Sequence, residues 1–196
     1  MNIRDRANKP KKIIKRKTVS QTVQNKLDCF NSVLWKPTDI PDGFVIVVDT
    51  REQYPLFDPI PKGLAVIRDT VKIGDYTIMG LETKVAIERK CESDFFSYIG
   101  SERIKTTKKL EAMSNMYFSA LVIQVDEYDL YNPSIPTKLT HEHVRGFLKC
   151  IRVKYGIHYY MNEDREMLER YVLDSLTYAY KQLKSVDISN GDKKEK

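Results

Sequence analysis

Between residues 44 and 125 the apolar residues come in short unbroken runs. Phe44-Val45-Ile46-Val47-Val48, Val85-Ala86-Ile87 and Ala120-Leu121-Val122-Ile123 are the clearest. Runs of this length, rich in β-branched side chains, read as strands buried on both faces. The pattern predicts strands over 44–49, 64–71 and 117–125, and a hairpin of 76–79 with 83–89 folded over Gly80-Leu81. A further strand is predicted over 157–161. Elsewhere the apolar period lengthens to three or four. Val144, Phe147, Leu148 and Ile151 predict a helix capped by Thr140 and running to about Tyr155, and Leu168, Val172, Leu176, Ala179 and Leu183 predict a last helix over 164–183. Residues 93–99 read as a helical turn or two, and 101–116 as a charged helix with Ile104, Leu110 and Met113 facing inward. Strands arranged first as a meander, then alternating with helices, predict an α/β layered fold.

Ahead of the first strand the pattern disappears. Residues 1–25 have few apolar positions and no period, the signature of disorder. Leu27, Phe30, Val33, Leu34 and Trp35 suit a short helix or an arm packed on the domain, and 36–43, with two prolines and Asp42-Gly43, reads as a linker. The division expected is therefore a basic arm and linker over 1–42, a domain over 43–184 and a polar tail over 185–196.

Charge follows the same division. The formal net charge is +6, yet residues 1–17 alone hold eight Lys and Arg against Asp5, so the rest of the chain is close to neutral. A block such as 9–17 suits phosphate contacts, a nuclear address or a solubilising tail. No apolar run approaches the roughly 18 residues that cross a bilayer, and the N-terminus does not resemble a signal peptide, so the expectation is an intracellular protein, cytoplasmic or nuclear. Cys29, Cys91 and Cys150 are too widely spaced for a zinc pair or disulfide framework. No glycine-rich phosphate loop appears, so neither nucleotide hydrolysis nor a small-molecule cofactor is expected.

The chemistry concentrates in residues 49–94. Asp49-Thr50-Arg51-Glu52, Gly74-Asp75-Tyr76 and Glu88-Arg89-Lys90 each lie at the mouth of an apolar run. Half-buried carboxylates need a partner, and a divalent cation satisfies several at once. Hard oxygen donors in small number suit Mg2+ or Mn2+. Side chains alternate along a strand, so Glu88 and Lys90 share a face and Arg89 points away. An Asp on one strand with Glu-x-Lys on the next brings together a cation site, an activated water and a neighbouring ammonium, the parts a phosphodiester hydrolase needs. His141 and His143 diverge on a helix and read as a surface pair, and His158 as a strand residue that is packed or at an edge.

Asp49-x-Arg51-Glu52, Gly74-Asp75-Tyr76 and Glu88-Arg89-Lys90-x-x-x-Asp94, complete and in order, resemble the nuclease domain of the XPF-type structure-specific endonucleases, within the PD-(D/E)xK superfamily. The resemblance implies a restriction-endonuclease-like mixed central sheet flanked by helices. It also implies Mg2+- or Mn2+-dependent cleavage of branched, flapped or junction DNA, in repair or recombination. Asp75 and Glu88 would be the metal ligands, with the Arg89 carbonyl a third. Asp49 and Glu52 would be outer or alternative ligands, Lys90 would serve the nucleophilic water or the transition state, and Arg51 would clamp phosphate. Arg89, on the opposite face, is expected to pair with Asp94 and steady the following helix. A junction resolvase or less specific nuclease, and a catalytically silent DNA-binding subunit, remain alternative readings. Many XPF-type members carry a tandem helix-hairpin-helix module after the nuclease, for which residues 186–196 leave no room. Grip on DNA is then expected from the basic arm or a partner protein, with a homodimer or a heterodimer with a related nuclease subunit both open.

Overall fold

A computed structural model describes residues 40–133 and 135–191. The expectations for residues 1–39, and for the end of the polar tail over 192–196, lie outside this range. The described residues form a six-stranded sheet with five helices. The strands are β1 (Ile46–Asp49), β2 (Val66–Asp69), β3 (Tyr76–Ile78), β4 (Val85–Cys91), β5 (Phe118–Gln124) and β6 (His158–Met161). The helices are α1 (Glu92–Ile99), α2 (Arg103–Ser114), α3 (Glu127–Tyr131), α4 (His141–Val153) and α5 (Arg165–Gly191). No helix among the described residues is long and apolar enough to cross a membrane.

Strand order is β2-β1-β3-β4-β5-β6, and β3 alone runs against the others. The expected opening meander is therefore corrected. β2 does not lie between β1 and β3; it pairs in parallel with β1 at the sheet edge. The cause is the segment from Thr50 to Ala65, too long for a hairpin turn and buried at its middle. Leu56 and Phe57 are each 1% exposed, the Leu56 N–H donates to the Tyr76 hydroxyl at 2.7 Å, and the Phe57 N–H donates to Glu169 Oε1 at 2.9 Å. That loop crosses the end of β3 and docks on α5 before β2 begins.

Register sorts the side chains between faces. Glu88 and Lys90 lie opposite Leu121 and Ile123, and Arg89 lies opposite Val122. Leu121 and Ile123 belong to the core formed with Phe95, Tyr98, Leu110 and Phe147, on the face covered by α1, α2 and α4. The other face is covered by α5, whose Leu168, Val172, Leu176 and Ala179 are buried as their spacing predicted. Each of these Leu and Val side chains contributes about 1.5–3 kcal/mol by leaving water.

Three details depart from the sequence pattern. Ile104 is 78% exposed, and Thr106 takes the inward position with Leu110 and Met113. Thr106 Oγ1 satisfies itself on the Tyr98 carbonyl at 2.7 Å, so a polar residue serves in the core and hides the period. The short α3 was not expected; Asp126 caps it by accepting from the Tyr128 N–H at 2.8 Å. Finally, α5 runs on to Gly191, through residues expected to form a polar tail.

Gly74 is required by close approach. Its φ is +85°, and a Cβ there would lie 3.0 Å from the Ile87 carbonyl oxygen and 3.1 Å from the Ala86 Cβ. Gly74→Ala is expected to destabilise the domain by roughly 1–3 kcal/mol, read as a lower urea midpoint. An unchanged midpoint would mean that the β3 entry relaxes freely.

Candidate active site

Five of the six strands are parallel, so the carboxyl ends of β1, β4 and β5 and the entry to β3 gather at one edge of the sheet. Ligand sites of open α/β sheets form at such an edge. Asp75 joins the strands there through its main chain. Its carbonyl accepts from the Asp49 N–H at 2.8 Å, and its own N–H donates to the Ile87 carbonyl at 2.8 Å. A cleft of about 470 Å³ opens above, lined in part by Arg51, Glu52, Asp75, Arg89, Lys90 and Asp94.

Asp75 is partly buried and accepts from the Arg89 N–H at 2.7 Å through Oδ2. Burial first, and then the Glu88 carboxylate, push its pKa up to about 7. Glu88 is fully buried, and two ammonium groups serve it. Lys90 Nζ lies 2.6 Å from Oε1, and Lys109 Nζ lies 2.7 Å from Oε1 and 2.9 Å from Oε2. Burial works against the charge on Lys90, but Glu88, Asp75 and Asp94 outweigh it and raise its pKa. Its Nζ also stands 5.2 Å from the centroid of the Tyr98 ring.

The remaining candidates form a frame around this centre. Asp49, 1% exposed, accepts from the Arg51 N–H (2.7 Å), Nε (2.9 Å) and Nη2 (2.5 Å) and from the Val71 N–H (3.3 Å). The Arg51 side-chain bonds are the largest cause of its lowered pKa. Asp49 therefore serves Arg51, whose side chain stays 72% exposed at the cleft and is held further by the Val71 carbonyl. Arg68 donates to the carbonyls of Asp49, Thr50 and Glu52, fastening the turn that carries Arg51.

Arg89 requires a correction. Its partners are Glu52, at 2.8 Å, and the Gln124 side chain at the end of β5, rather than Asp94. Register supplies the reason, since Arg89 is on the α5 face while Asp94 stands close enough to Lys90 to hold its charge. Glu52 is thus engaged with Arg89. Neither Lys109 at Glu88 nor Gln124 at Arg89 was expected, because each arrives from a later element outside the three motifs.

The donor set fits a small divalent cation. Two carboxylates, one fully buried, share the site; burial first and their repulsion second raise the pKa of Asp75, and a hard cation relieves that repulsion while accepting carboxylate oxygen. No group of three or more His, Cys, Asp or Glu suited to a metal occurs among the described residues. His143 instead accepts from the Thr140 N–H as part of the α4 cap, His141 packs edge-on to Tyr131, and His158 stacks on Phe118.

No protein family and no curated protein matches this chain by sequence. Solved structures do. XPF from Aeropyrum pernix is 20% identical, with a TM-score of 0.52 over 68% of this chain and 60% of that one. XPF from the same organism in complex with DNA is 18% identical, with a TM-score of 0.53 over 71% of this chain and 66% of that one. The fold is that of XPF. The restriction-endonuclease-like mixed sheet implied by the three motifs is borne out, and the chain spans 60% and 66% of the length of these two XPF chains.

Asp75 is expected to make the stability of the protein depend on pH. Its folded pKa, about 7, lies above the ordinary 3.8, so the folded state holds this proton more tightly than the unfolded chain does. The resulting stabilisation is complete below about pH 4 and is lost as pH rises toward 7. Asp75→Asn keeps an acceptor for the Arg89 N–H without the charge. In chelator at about pH 8 the variant is expected to be more stable than the parent by a few kcal/mol, the gap closing near pH 4. Equal urea midpoints at both pH values would contradict this.

Proposed function

We propose that this protein is a Mg2+- or Mn2+-dependent DNA endonuclease that hydrolyses phosphodiester bonds in branched, flapped or junction DNA, in repair or recombination. The observation that carries the reading is the buried Glu88 placed beside Asp75 at the sheet edge, with Lys90 on the same face. Asp75 and Glu88, with the Arg89 carbonyl, would hold the cation, which supplies Lewis acidity and a water of lowered pKa.

The chain's own residues divide the remaining tasks. Lys90, charged and held between Glu88 and the Tyr98 ring, is placed to neutralise negative charge developing on the attacked phosphate. Arg51, fixed by Asp49 yet exposed, suits a phosphate oxygen of the bound strand. Glu52 and Gln124 hold Arg89, and so fix the backbone carrying both the proposed carbonyl ligand and the N–H donor to Asp75. XPF in complex with DNA supports DNA as the partner.

The test is cleavage of labelled flaps, forks, four-way junctions and plain duplex in Mg2+. We expect cutting near branch points that chelator abolishes. Binding to the same panel without cleavage, in Mg2+ and in Mn2+, would favour a silent DNA-binding subunit. Equal cutting of plain duplex would favour a less specific nuclease.

A further inference from the structure

Glu88 is a fully buried carboxylate that two lysines serve. The cleft is lined by Asp75 and Lys90, and Lys109 reaches Glu88 from α2. Charge explains why two ammonium groups are tolerated so close together. Asp75 and Glu88 in their ionised forms carry two negative charges, and Lys90 and Lys109 supply two positive ones. The four groups are neutral as a set, which is how buried charge is kept at acceptable cost.

A divalent cation entering this set leaves a surplus of two positive charges in a poorly solvated place. One ammonium must leave, or an anion must arrive. The two lysines differ in freedom to move. Lys90 is 17% exposed and rests against Tyr98, whereas Lys109 is 38% exposed on the outer flank of α2, next to the exposed Lys108. Lys109 can exchange Glu88 for solvent by rotating its stem.

We propose that Lys109 is a built-in counter-cation for Glu88 that an entering divalent metal displaces, and that the released ammonium then binds a phosphate of the DNA. Lys109 holds Glu88 in place while the metal is absent. Metal entry frees it, and DNA bound to the freed ammonium keeps it from returning. Metal and DNA binding therefore favour each other, by the same factor in either direction. This inference rests on the proposed metal role of Asp75 and Glu88.

The test combines a variant with a measurement on the parent protein. Lys109→Met keeps the length and apolar stem and removes the charge. If Lys109 engages Glu88 about nine-tenths of the time, Mn2+ titrated against the variant, followed by the electron paramagnetic resonance of free Mn2+, binds about tenfold more tightly than to the parent. In the parent, acetylation of Lys109 by acetic anhydride, read by mass spectrometry relative to Lys108, rises when Ca2+ is added. Enhancement of DNA affinity by Ca2+ shrinks in the variant. Unchanged or weaker Mn2+ binding by Lys109→Met overturns the proposal. So does Lys109 labelling indifferent to Ca2+, a result available even if the variant fails to fold. Mn2+ binding that survives Asp75→Asn would instead defeat the underlying metal assignment.

Discussion

Asp75→Asn is expected to lower cleavage by at least roughly a thousandfold while leaving DNA affinity in chelator nearly unchanged. The substitution keeps the shape and the acceptor for the Arg89 N–H and removes one of the two charges that would hold the cation. Glu88→Gln is expected to cost as much activity, but the two variants part in stability. Gln at the fully buried position leaves Lys90 and Lys109 without their anion, and the metal-free fold should lose up to roughly 3 kcal/mol. Asp75→Asn relieves a repulsion instead. Single-turnover cleavage together with urea melts in chelator checks both halves. Equal stability of the two variants would mean that the lysines do not depend on Glu88, and activity surviving both would end the two-carboxylate account.

Lys90→Ala is expected to lower turnover of bound substrate by roughly two to three orders of magnitude. The ammonium is held by a buried carboxylate and an aromatic face, so it is organised before substrate arrives. An interaction made chiefly with charge developing in the transition state appears in kcat and hardly in binding. Single-turnover rates at saturating enzyme, set beside affinity in Ca2+, separate the two. A collapse of affinity with unchanged turnover would make Lys90 an anchor for ground-state phosphate.

What could be read in the sequence, and what could not, follows from how local each interaction is. Asp75 was legible as a candidate at the entry to a strand, and Glu88 within one, beside residues whose alternation assigns a face. The same alternation placed Lys90 beside Glu88 and turned Arg89 away. Its partners were another matter. Glu52 comes from the turn after β1 and Gln124 from the end of β5, and only the sheet order brings them to Arg89. Lys109 lies 21 positions beyond Glu88 on a helix whose visible period was blurred by Thr106 in the core. The edge position of β2 depended on Leu56 and Phe57 being buried within the segment that joins β1 to β2. Arg51 was expected at the cleft and is there, but its grip on Asp49 makes that aspartate a support for a cation rather than a free ligand.

The central claim is that Asp75 and Glu88 together hold a divalent cation. Crystals grown with Mn2+ and a non-cleavable branched DNA test it most directly, through anomalous diffraction at the manganese edge. The account predicts a peak at the Asp75 and Glu88 carboxylates, and none in crystals of Asp75→Asn grown alike. A peak elsewhere on the protein, with Lys90 and Lys109 still seated on Glu88, would contradict it.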